Sequence, residues 1–453
     1  MANSIAVVEI MAAILKAGGI VVPISTRLAE PEIRYMVEDA APVAIFYSPQ
    51  ERAMIRDVTN ALDNLHCLVA GDAETGETSL EDLITGASDK PLSTAPFTPD
   101  HALLCYTSGT TGRPKGALAS HRNLVIGQGW MNATEWGLSP ADRTLVATPM
   151  AHRTGMARMA GSFCMGSTLI LQEAFDPAET VRLMEAEQTS HIGVVPTIAR
   201  MLLPEIEARP EACASLRTML ATGEVFPVDV KERLFAALPH LQLNSFYSQT
   251  EAGLVTNLRP DEQKHHPDSI GQPVLGVEVR IVDLALKDVP QGEPGEILVR
   301  CGAPGEITMM PEYFNRLDDT KSIFVDGWCR TGDMARLGED GYYYFVDRLK
   351  DMIVSGGLNI YSREVEDALL THVAVKEAAV VGVPDAEFGE AVIAFIIPTD
   401  ATPPTEAALI DHCRQHIASY KKPRHIQFVD TLPRNTTGKV AKHQLRDAVV
   451  SSV

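Results

Sequence analysis

The chain has 453 residues, of which 45% are hydrophobic and 22% are charged, and its formal net charge is −20 at pH 7. This composition is typical of a globular protein that is long enough for more than one domain. The acidic balance disfavours nonspecific attraction to nucleic acid or to an anionic membrane surface. We expect neither a nucleic-acid partner nor an integral membrane segment, since no apolar run reaches roughly 18 residues.

The seven cysteines are odd in number and widely spaced, and no Cys-x-x-Cys pair occurs among them. This pattern disfavours a zinc site or a disulfide framework. The beginning of the chain shows no basic region followed by a signal-type apolar stretch. The sequence therefore predicts a reducing, cytoplasmic location.

The first part of the chain alternates between predicted helices and predicted buried strands. Helices are expected at 5–17 and 30–38, and strands at 20–24 and 43–47. Such alternation is typical of an α/β architecture. The polar, acidic stretch 71–100 predicts a surface excursion before the core resumes.

The remaining chain predicts two domains of unequal size. No linker signal appears before residue 347, so residues 1–347 are expected to form one large domain. Residues 348–453 show a different texture, in which helices and strands predict a small α+β domain.

A hydroxyl- and glycine-rich run follows the predicted strand 103–106, with the sequence Thr107-Ser108-Gly109-Thr110-Thr111-Gly112-Arg113-Pro114-Lys115-Gly116. Glycines let the backbone approach an anion, hydroxyls supply rotating donors, and Lys115 adds a positive charge. The run is not a Walker A loop, because Pro114 precedes the lysine where that pattern needs glycine. A return strand at 117–119 predicts a strand–loop–strand layout. A surface turn rich in small residues is the alternative interpretation.

The run from Thr107 to Gly116 resembles the signature of the adenylate-forming superfamily, which includes acyl-CoA synthetases, luciferases and nonribosomal adenylation domains. The resemblance covers nearly the whole chain and is greatest to acyl-CoA synthetases. It implies an α/β fold, in which a large N-terminal domain of layered β-sheets and helices is joined by a hinge to a small C-terminal α+β domain. Family members normally carry a further stretch before the segment that resembles 3–27. We therefore expect a shortened, less stable large domain that keeps every catalytic residue named below.

The resemblance also implies an ATP-dependent acid–thiol ligase of fatty-acid metabolism. Such an enzyme forms an acyl-adenylate and then an acyl-CoA thioester, and it releases AMP and pyrophosphate. Its substrate is expected to be a fatty or aryl carboxylic acid, a small molecule. ATP, Mg²⁺ and coenzyme A are the implied cofactors, and the chain is expected to act as a monomer or homodimer.

Several motifs carry the implied nucleotide site. The residues expected to bind ATP or AMP are Thr107, Ser108, Gly109, Thr110, Thr111, Gly112, Lys115, Gly223, Glu224, Phe246, Tyr247, Ser248, Asp333 and Arg348. The resemblance places Tyr247 near the adenine, catalytic Thr250 on the α-phosphate, and catalytic Glu251 on the metal. Asp333 is implied to accept hydrogen bonds from both ribose hydroxyls, and Arg348 to reach the ribose or a phosphate. The alternative interpretation of the Tyr247–Glu251 segment is an ordinary strand end, and that of the motif with Asp333 is a capped turn.

The last part of the chain carries the implied mobile elements. Lys350 is implied to be the hinge about which the small domain turns. Gly356 and Gly357 are implied to meet the pantetheine arm of CoA, a task that suits glycine because a thin arm needs close backbone approach. Lys439 is implied to be catalytic, bridging the substrate carboxylate and the α-phosphate. A plain strand turn is the alternative interpretation of Gly356 and Gly357, and a mobile basic loop is that of Lys439.

The implied acyl pocket is lined by His152, Gly155, Pro196 and Ser248, and His152 is also a catalytic candidate. Ser248 stands where the family usually has glycine, which predicts a shallower or more polar pocket. Arg153 and Arg158 follow His152 closely. They are able to pair with a second substrate carboxylate, but surface or interdomain pairing is the favoured interpretation.

Two other functions remain open from the sequence. An amino-acid or aryl adenylation enzyme that loads a carrier protein is the nearest alternative, and Glu224 is reminiscent of that branch. The His152 segment favours the ligase, because it lacks the aspartate usual in amino-acid-activating enzymes. A noncatalytic nucleotide-binding relative is disfavoured by intact Glu251, Asp333 and Lys439.

Overall fold

The fold is given by a computed structural model that describes residues 1–60, 62, 65–90, 100–107, 114–399, 404–434 and 439–450. The chain divides into two compact units. Unit 1 comprises Met1–Val279 and Leu298–Thr331, and unit 2 comprises Arg280–Ile297 and Gly332–Val453. The domain boundary expected after residue 347 stays a prediction.

Helices occur along the whole chain. They are α1 (Ile5–Lys16), α2 (Glu30–Ala40), α3 (Arg52–Thr59), α4 (Leu80–Gly86), α5 (Asn132–Glu135), α6 (Arg153–Met165), α7 (Pro177–Ala186), α8 (Pro196–Ala208), α9 (Val228–Ala237), α10 (Leu317–Ile323), α11 (Ser362–Leu370), α12 (Glu406–His416) and α13 (Lys442–Val450). Short 3₁₀ turns span Pro49–Glu51 and Pro210–Cys213, and a π-helical segment spans Asn123–Met131. Within the described ranges, no helix is both long and apolar enough to cross a membrane.

Strands alternate with these helices. They are β1 (Ala44–Tyr47), β2 (His66–Val69), β3 (Thr78–Ser79), β4 (His101–Thr107), β5 (Lys115–Ser120), β6 (Arg143–Val146), β7 (Thr168–Leu171), β8 (His191–Val194), β9 (Thr218–Ala221), β10 (Gln242–Gln249), β11 (Gly253–Leu258), β12 (Gln272–Pro273), β13 (Glu278–Val282), β14 (Gly295–Arg300), β15 (Phe324–Val325), β16 (Trp328–Leu337), β17 (Tyr343–Arg348), β18 (Ile353–Ser355), β19 (Leu358–Ile360), β20 (Val375–Asp385), β21 (Gly389–Pro398) and β22 (His425–Phe428).

The largest sheet of unit 1 has seven strands in the order β12-β11-β10-β9-β8-β6-β7. Its strands from β7 to β10 run parallel, and β11 runs antiparallel to β10. Parallel neighbours need long crossovers, and α7, α8 and α9 supply them along the chain. The carboxyl ends of β8, β9 and β10 therefore meet at one edge, which is where ligands bind in such sheets.

Two strands of unit 1 carry the glycine-rich run. β4 and β5 pair antiparallel, with Thr107 opposite Lys115, so the predicted strand–loop–strand layout is confirmed at both ends of the loop. The strand predicted at 20–24 is wrong, because only Val21 forms a bridge, with Leu103. Pro23 has no N–H to continue a ladder there.

Unit 2 contains a sheet in the order β19-β18-β21-β20, with β22 added parallel to β21. Helices α11, α12 and α13 accompany it, and its core includes Val365, Val380 and Leu409. The turn between β18 and β19 holds Gly356 and Gly357 at φ values of +59° and +77°. Both values lie in the left-handed region that favours glycine.

Candidate active site

Glu251 follows strand β10 at the carboxyl edge of the large sheet. Its Oε1 accepts a hydrogen bond of 2.7 Å from the Tyr313 hydroxyl, and Thr107 Oγ1 lies 3.5 Å from the same oxygen. Its backbone carbonyl accepts a 2.8 Å bond from the N–H of Met310. Side chain and main chain are both fixed, so the carboxylate has a defined position beside the end of β4.

Tyr313 is a site residue that the sequence reasoning missed. Burial raises the pKa of its hydroxyl, and the charge and hydrogen bond of Glu251 raise it further. The hydroxyl therefore remains a donor to the carboxylate at neutral pH. No glycine- or hydroxyl-rich pattern surrounds Tyr313, so the sequence offers no local signal for this contact.

Lys115 begins strand β5 and forms an ion pair with Asp319, at the start of α10. Its Nζ also lies 5.5 Å from the centre of the Tyr313 ring. Its side chain is 15% exposed, so the pair is only partly screened by solvent. The remaining predicted loop residues, Ser108, Gly109, Thr110, Thr111 and Gly112, lie outside the described residues.

The other expected nucleotide residues of unit 1 follow strands β9 and β10. Gly223 has a φ of +102°, which favours glycine, and Glu224 beside it is exposed. Phe246 is buried, whereas Tyr247, Ser248 and Thr250 are half-buried. The fold thus brings Gly223 and the Tyr247–Glu251 segment to one edge of the sheet.

Two of the expected acyl-pocket residues, Pro196 and Ser248, lie at or directly after the ends of strands in this sheet. Pro196 begins α8 directly after β8, and Ser248 Oγ lies 3.1 Å from the hydroxyl of Thr222. His152 stands at the N-cap of α6, and Gly155 lies in its first turn. A Cβ on Gly155 would lie 2.7 Å from Met150 Cα, so the helix start requires a glycine there.

The His152 imidazole is largely buried, and its Nε2 has no hydrogen-bond partner among the described residues. Burial lowers the pKa of His152, and the charge of Arg27 lowers it further. The ring is therefore neutral at pH 7, and it presents a nitrogen without a protein partner.

Arg158, in α6, departs from the favoured expectation of surface or interdomain pairing. The side chain is buried, and its guanidinium lies 4.4 Å from the centre of the Trp136 ring. Arg158 forms no ion pair within the described ranges. The expectation was wrong because Arg158 lies on the face of α6 that packs against the sheet, where it meets Gly193.

Unit 2 brings Asp333 and Arg348 together. They are opposite each other in the antiparallel pair β16–β17, and Arg348 Nε lies 3.5 Å from Asp333 Oδ1. Asp333 is buried, whereas Lys350 is exposed. Lys439 is half-buried, next to the bridge between Val440 and Arg434.

Comparison with known proteins identifies the family to which the chain belongs. The family model of the AMP-binding enzyme matches residues 1–314, and that of the AMP-binding enzyme C-terminal domain matches residues 364–439. The chain belongs to the family of AMP-binding enzymes.

Similar proteins support a narrower class. The chain is 33% identical to a feruloyl-CoA synthase of Amycolatopsis sp, over 98% of this chain and 87% of that protein. ATP-bound MatB from Rhodopseudomonas palustris superposes with a TM-score of 0.87 at 30% identity, over 98% of this chain and 86% of that chain. The O-succinylbenzoate coenzyme A synthetase of Bacillus subtilis, in complex with ATP and magnesium ion, gives 0.84 at 28% identity, over 98% and 88%.

These similarities confirm two expectations. The fold class is that of a large N-terminal domain with a small C-terminal domain of mixed α/β content. The enzyme class is that of the AMP-forming acyl-CoA synthetases, which are acid–thiol ligases.

Proposed function

We propose that this enzyme activates a fatty or aryl carboxylic acid as an acyl-adenylate and then transfers the acyl group to the thiol of coenzyme A. The observation that carries the proposal is the fixed Glu251 carboxylate beside Thr107, at the end of the glycine-rich loop. A carboxylate and a phosphate loop at one sheet edge suit a nucleotide bound with a hard cation.

The first step joins the acid to AMP. An oxygen of the substrate carboxylate attacks the α-phosphorus of ATP, and the bond from that phosphorus to the pyrophosphate oxygen breaks. Negative charge builds on the oxygens around the α-phosphorus, so donors fixed beforehand stabilise the transition state. We assign the Thr250 hydroxyl and the Lys439 ammonium to this task, and Tyr247 to the adenine.

The residues around Glu251 fit a magnesium ion. Within the described ranges, no group of three or more His, Cys, Asp or Glu side chains forms a protein-only metal cage. Mg²⁺ that accompanies a nucleotide takes most of its ligands from phosphates and water, and needs only one or two carboxylates. The Tyr313 and Thr107 contacts both involve Oε1 of Glu251, so Oε2 is left for the ion as far as the described residues are concerned. The ion would neutralise phosphate charge.

Asp333 and Arg348 are assigned to the ribose. The carboxylate of Asp333 is able to accept from two adjacent hydroxyls, and Arg348 at 3.5 Å helps to orient it.

The second step makes the thioester. The CoA sulfur attacks the acyl carbon, the bond from that carbon to the phosphate oxygen breaks, AMP leaves, and the thiol proton passes to solvent. Gly356 and Gly357 are assigned to the pantetheine arm, and Lys350 to the hinge between the two half-reactions. A neutral His152 beside the acyl pocket leaves the substrate carboxylate uncompensated there, so the carboxylate stays a nucleophile.

Pyrophosphate exchange with ATP, run over a panel of fatty, aryl and amino acids, tests the proposal. We expect exchange with fatty or aryl acids, and an acyl-CoA product when CoA is added. Exchange with amino acids alone, without thioester formation, would favour the carrier-loading alternative. Lys439→Ala separates the two steps, because it should abolish exchange and largely spare thioester formation from supplied acyl-AMP. The exposed Lys376→Ala is the matched control in unit 2.

A further inference from the structure

A small cavity lies between helix α6 and the large sheet of unit 1. Trp136, Thr144, Arg158, His191 and Leu220 are among the residues that line it. Its empty space is about 250 Å³, and it has room for roughly one water-sized guest in the present side-chain arrangement. Apolar residues, among them Leu138 and Ala157, complete its lining.

Arg158, which lines the cavity, is a buried cation without a counter-charge in the part of the chain that the structure describes. Arg158 is 6% exposed, and its Nε and Nη1 have no hydrogen-bond partner among the described residues. Burial lowers the pKa of its guanidinium to about 10, so the group is still cationic at neutral pH. Its ring contacts are Trp136 at 4.4 Å and Phe246 at 5.9 Å. Stacking recovers part of the cost of burying a charge, but it leaves the N–H donors unsatisfied.

The neighbouring polar groups do not supply the missing negative charge. Trp136 Nε1 and Thr144 Oγ1 also have no partner in the described chain. Burial lowers the pKa of His191 to about 4, so this ring is neutral at pH 7. The Asp142 carboxylate lies 3.4 Å from Nδ1 of His191 and forms an ion pair with Arg217 at 2.9 Å. Arg158 therefore places a positive charge beside the cavity that has no counter-charge among the described residues, and a carboxylate would satisfy it.

Two of the cavity residues are close in the chain to residues of the expected acyl pocket or to their contacts. Leu220 in β9 lies two residues before Thr222, whose hydroxyl is 3.1 Å from Ser248 Oγ. Arg158 lies three residues after Gly155 on α6, which places both on neighbouring positions of one helix face. Arg158 thus lies about one helical turn along α6 from Gly155, a residue of the expected acyl pocket.

We propose that Arg158 binds a second carboxylate at the far end of the acid substrate, so that the preferred substrates are dicarboxylic acids. This inference rests on the proposed function, since it assigns the substrate class of the same site. A planar guanidinium with free Nε–H and Nη1–H donors matches both oxygens of a carboxylate. The incoming charge would satisfy a cation that has no counter-charge among the described residues.

Matched pairs of acids test the proposal in the full chain with ATP, Mg²⁺ and CoA. Octanedioic acid is compared with octanoic acid, and 4-carboxycinnamic acid with cinnamic acid. We expect the wild-type kcat/KM to be about 10- to 100-fold higher for each diacid than for its monoacid. This ratio is typical of the contribution of a charged, hydrogen-bonded pair. Arg158→Met should remove this preference and change monoacid turnover less than about threefold. Arg158→Lys should retain part of it, and the exposed Arg233→Met is the control.

Stability supplies a second readout. Replacing an unpaired buried cation with an apolar side chain of similar length should leave Tm unchanged or raise it. Diacids should raise the Tm of the wild type and not that of Arg158→Met. A lower Tm with equal loss on both acids would show a structural role and overturn the inference.

The substrate panel separates this inference from the proposed function. Exchange with monoacids together with no wild-type preference for diacids would overturn the inference and leave the function standing. Absence of exchange with every acid would overturn both. If Arg158→Met does not fold, the wild-type preference and the diacid-induced Tm shift decide the matter.

Discussion

Glu251 and Arg158 both place a charged group inside unit 1, but their surroundings differ. Glu251 is held by Tyr313 and Thr107, and the nearby Lys115 is paired with Asp319. Arg158 has aromatic neighbours and polar neutral groups, and no carboxylate faces it in the described chain. The charged groups at the ends of the glycine-rich loop are paired within the protein, whereas the Arg158 guanidinium has no counter-charge among the described residues.

Paired and unpaired buried charges have different energetic consequences for ligand binding. Fixed, hydrogen-bonded charges lower the reorganisation needed when phosphate charge develops. An unpaired buried charge costs stability, and a ligand of opposite charge recovers that cost upon binding. The first arrangement favours rate, and the second favours discrimination between substrates.

The largest effect is expected at the phosphate loop. Glu251→Gln keeps the shape but removes the negative charge, so the rate of adenylation should fall roughly 10²- to 10³-fold, or about 3–4 kcal/mol. Pyrophosphate exchange at several Mg²⁺ concentrations measures it. Glu207→Gln, in an exposed pair with Arg233, is the control and should be within about twofold of wild type. A Glu251→Gln rate near wild type would break the contrast.

The stability of the protein should depend on pH through His191, which lines the cavity. Below pH 6.5 an unfolded histidine takes up a proton, whereas His191, with a folded-state pKa of about 4, stays neutral. The free energy of unfolding should therefore decrease as the pH falls from 6.5 to 4, by up to about 3 kcal/mol. Urea titrations of wild type and His191→Gln measure it, and the variant should lose this part of the slope. The exposed His240→Gln should follow the wild-type curve.

A methyl group added at Gly193 sharpens the assignment of Arg158. The new Cβ would lie 2.7 Å from Arg158 Nε, so the guanidinium has to move. We expect kcat/KM for the diacids to fall about 5- to 30-fold, equivalent to about 1–2 kcal/mol, while monoacid turnover changes little. Gly86→Ala is the control, because its Cβ meets nothing within 4 Å. Equal losses for both acid types would count against a distal carboxylate site.

The smallest effect is expected from the hydroxyl that holds Glu251. Tyr313→Phe removes one hydrogen bond and keeps the ring beside Lys115, so adenylation should slow about fivefold, near 1 kcal/mol. Tyr47→Phe removes a similar 3.1 Å bond to Glu77 elsewhere in unit 1, and it should alter stability without altering the rate. Identical behaviour of the two variants in the exchange assay would mean that Tyr313 has only a structural role.

Much of the fold followed from local patterns. The helices expected at 5–17 and 30–38 appear as Ile5–Lys16 and Glu30–Ala40, because a periodic apolar face and clear end signals coincide there. The strand expected at 20–24 failed, because a short apolar run with a proline does not reveal whether a partner strand is adjacent. The domain boundary and the assigned roles of the site residues stay predictions.

The sequence by itself determined the enzyme family, since glycines, hydroxyls and charges in a fixed order along the chain are local features. Glu251, Thr107 and Lys115 were chosen in this way. Only the tertiary structure decided that Tyr313 holds Glu251, that Asp319 pairs with Lys115, and that Arg158 is buried with no counter-charge among the described residues. These contacts join residues far apart in the chain. Burial sets the energy of a charge, and burial is a property of the packed fold that no short segment encodes.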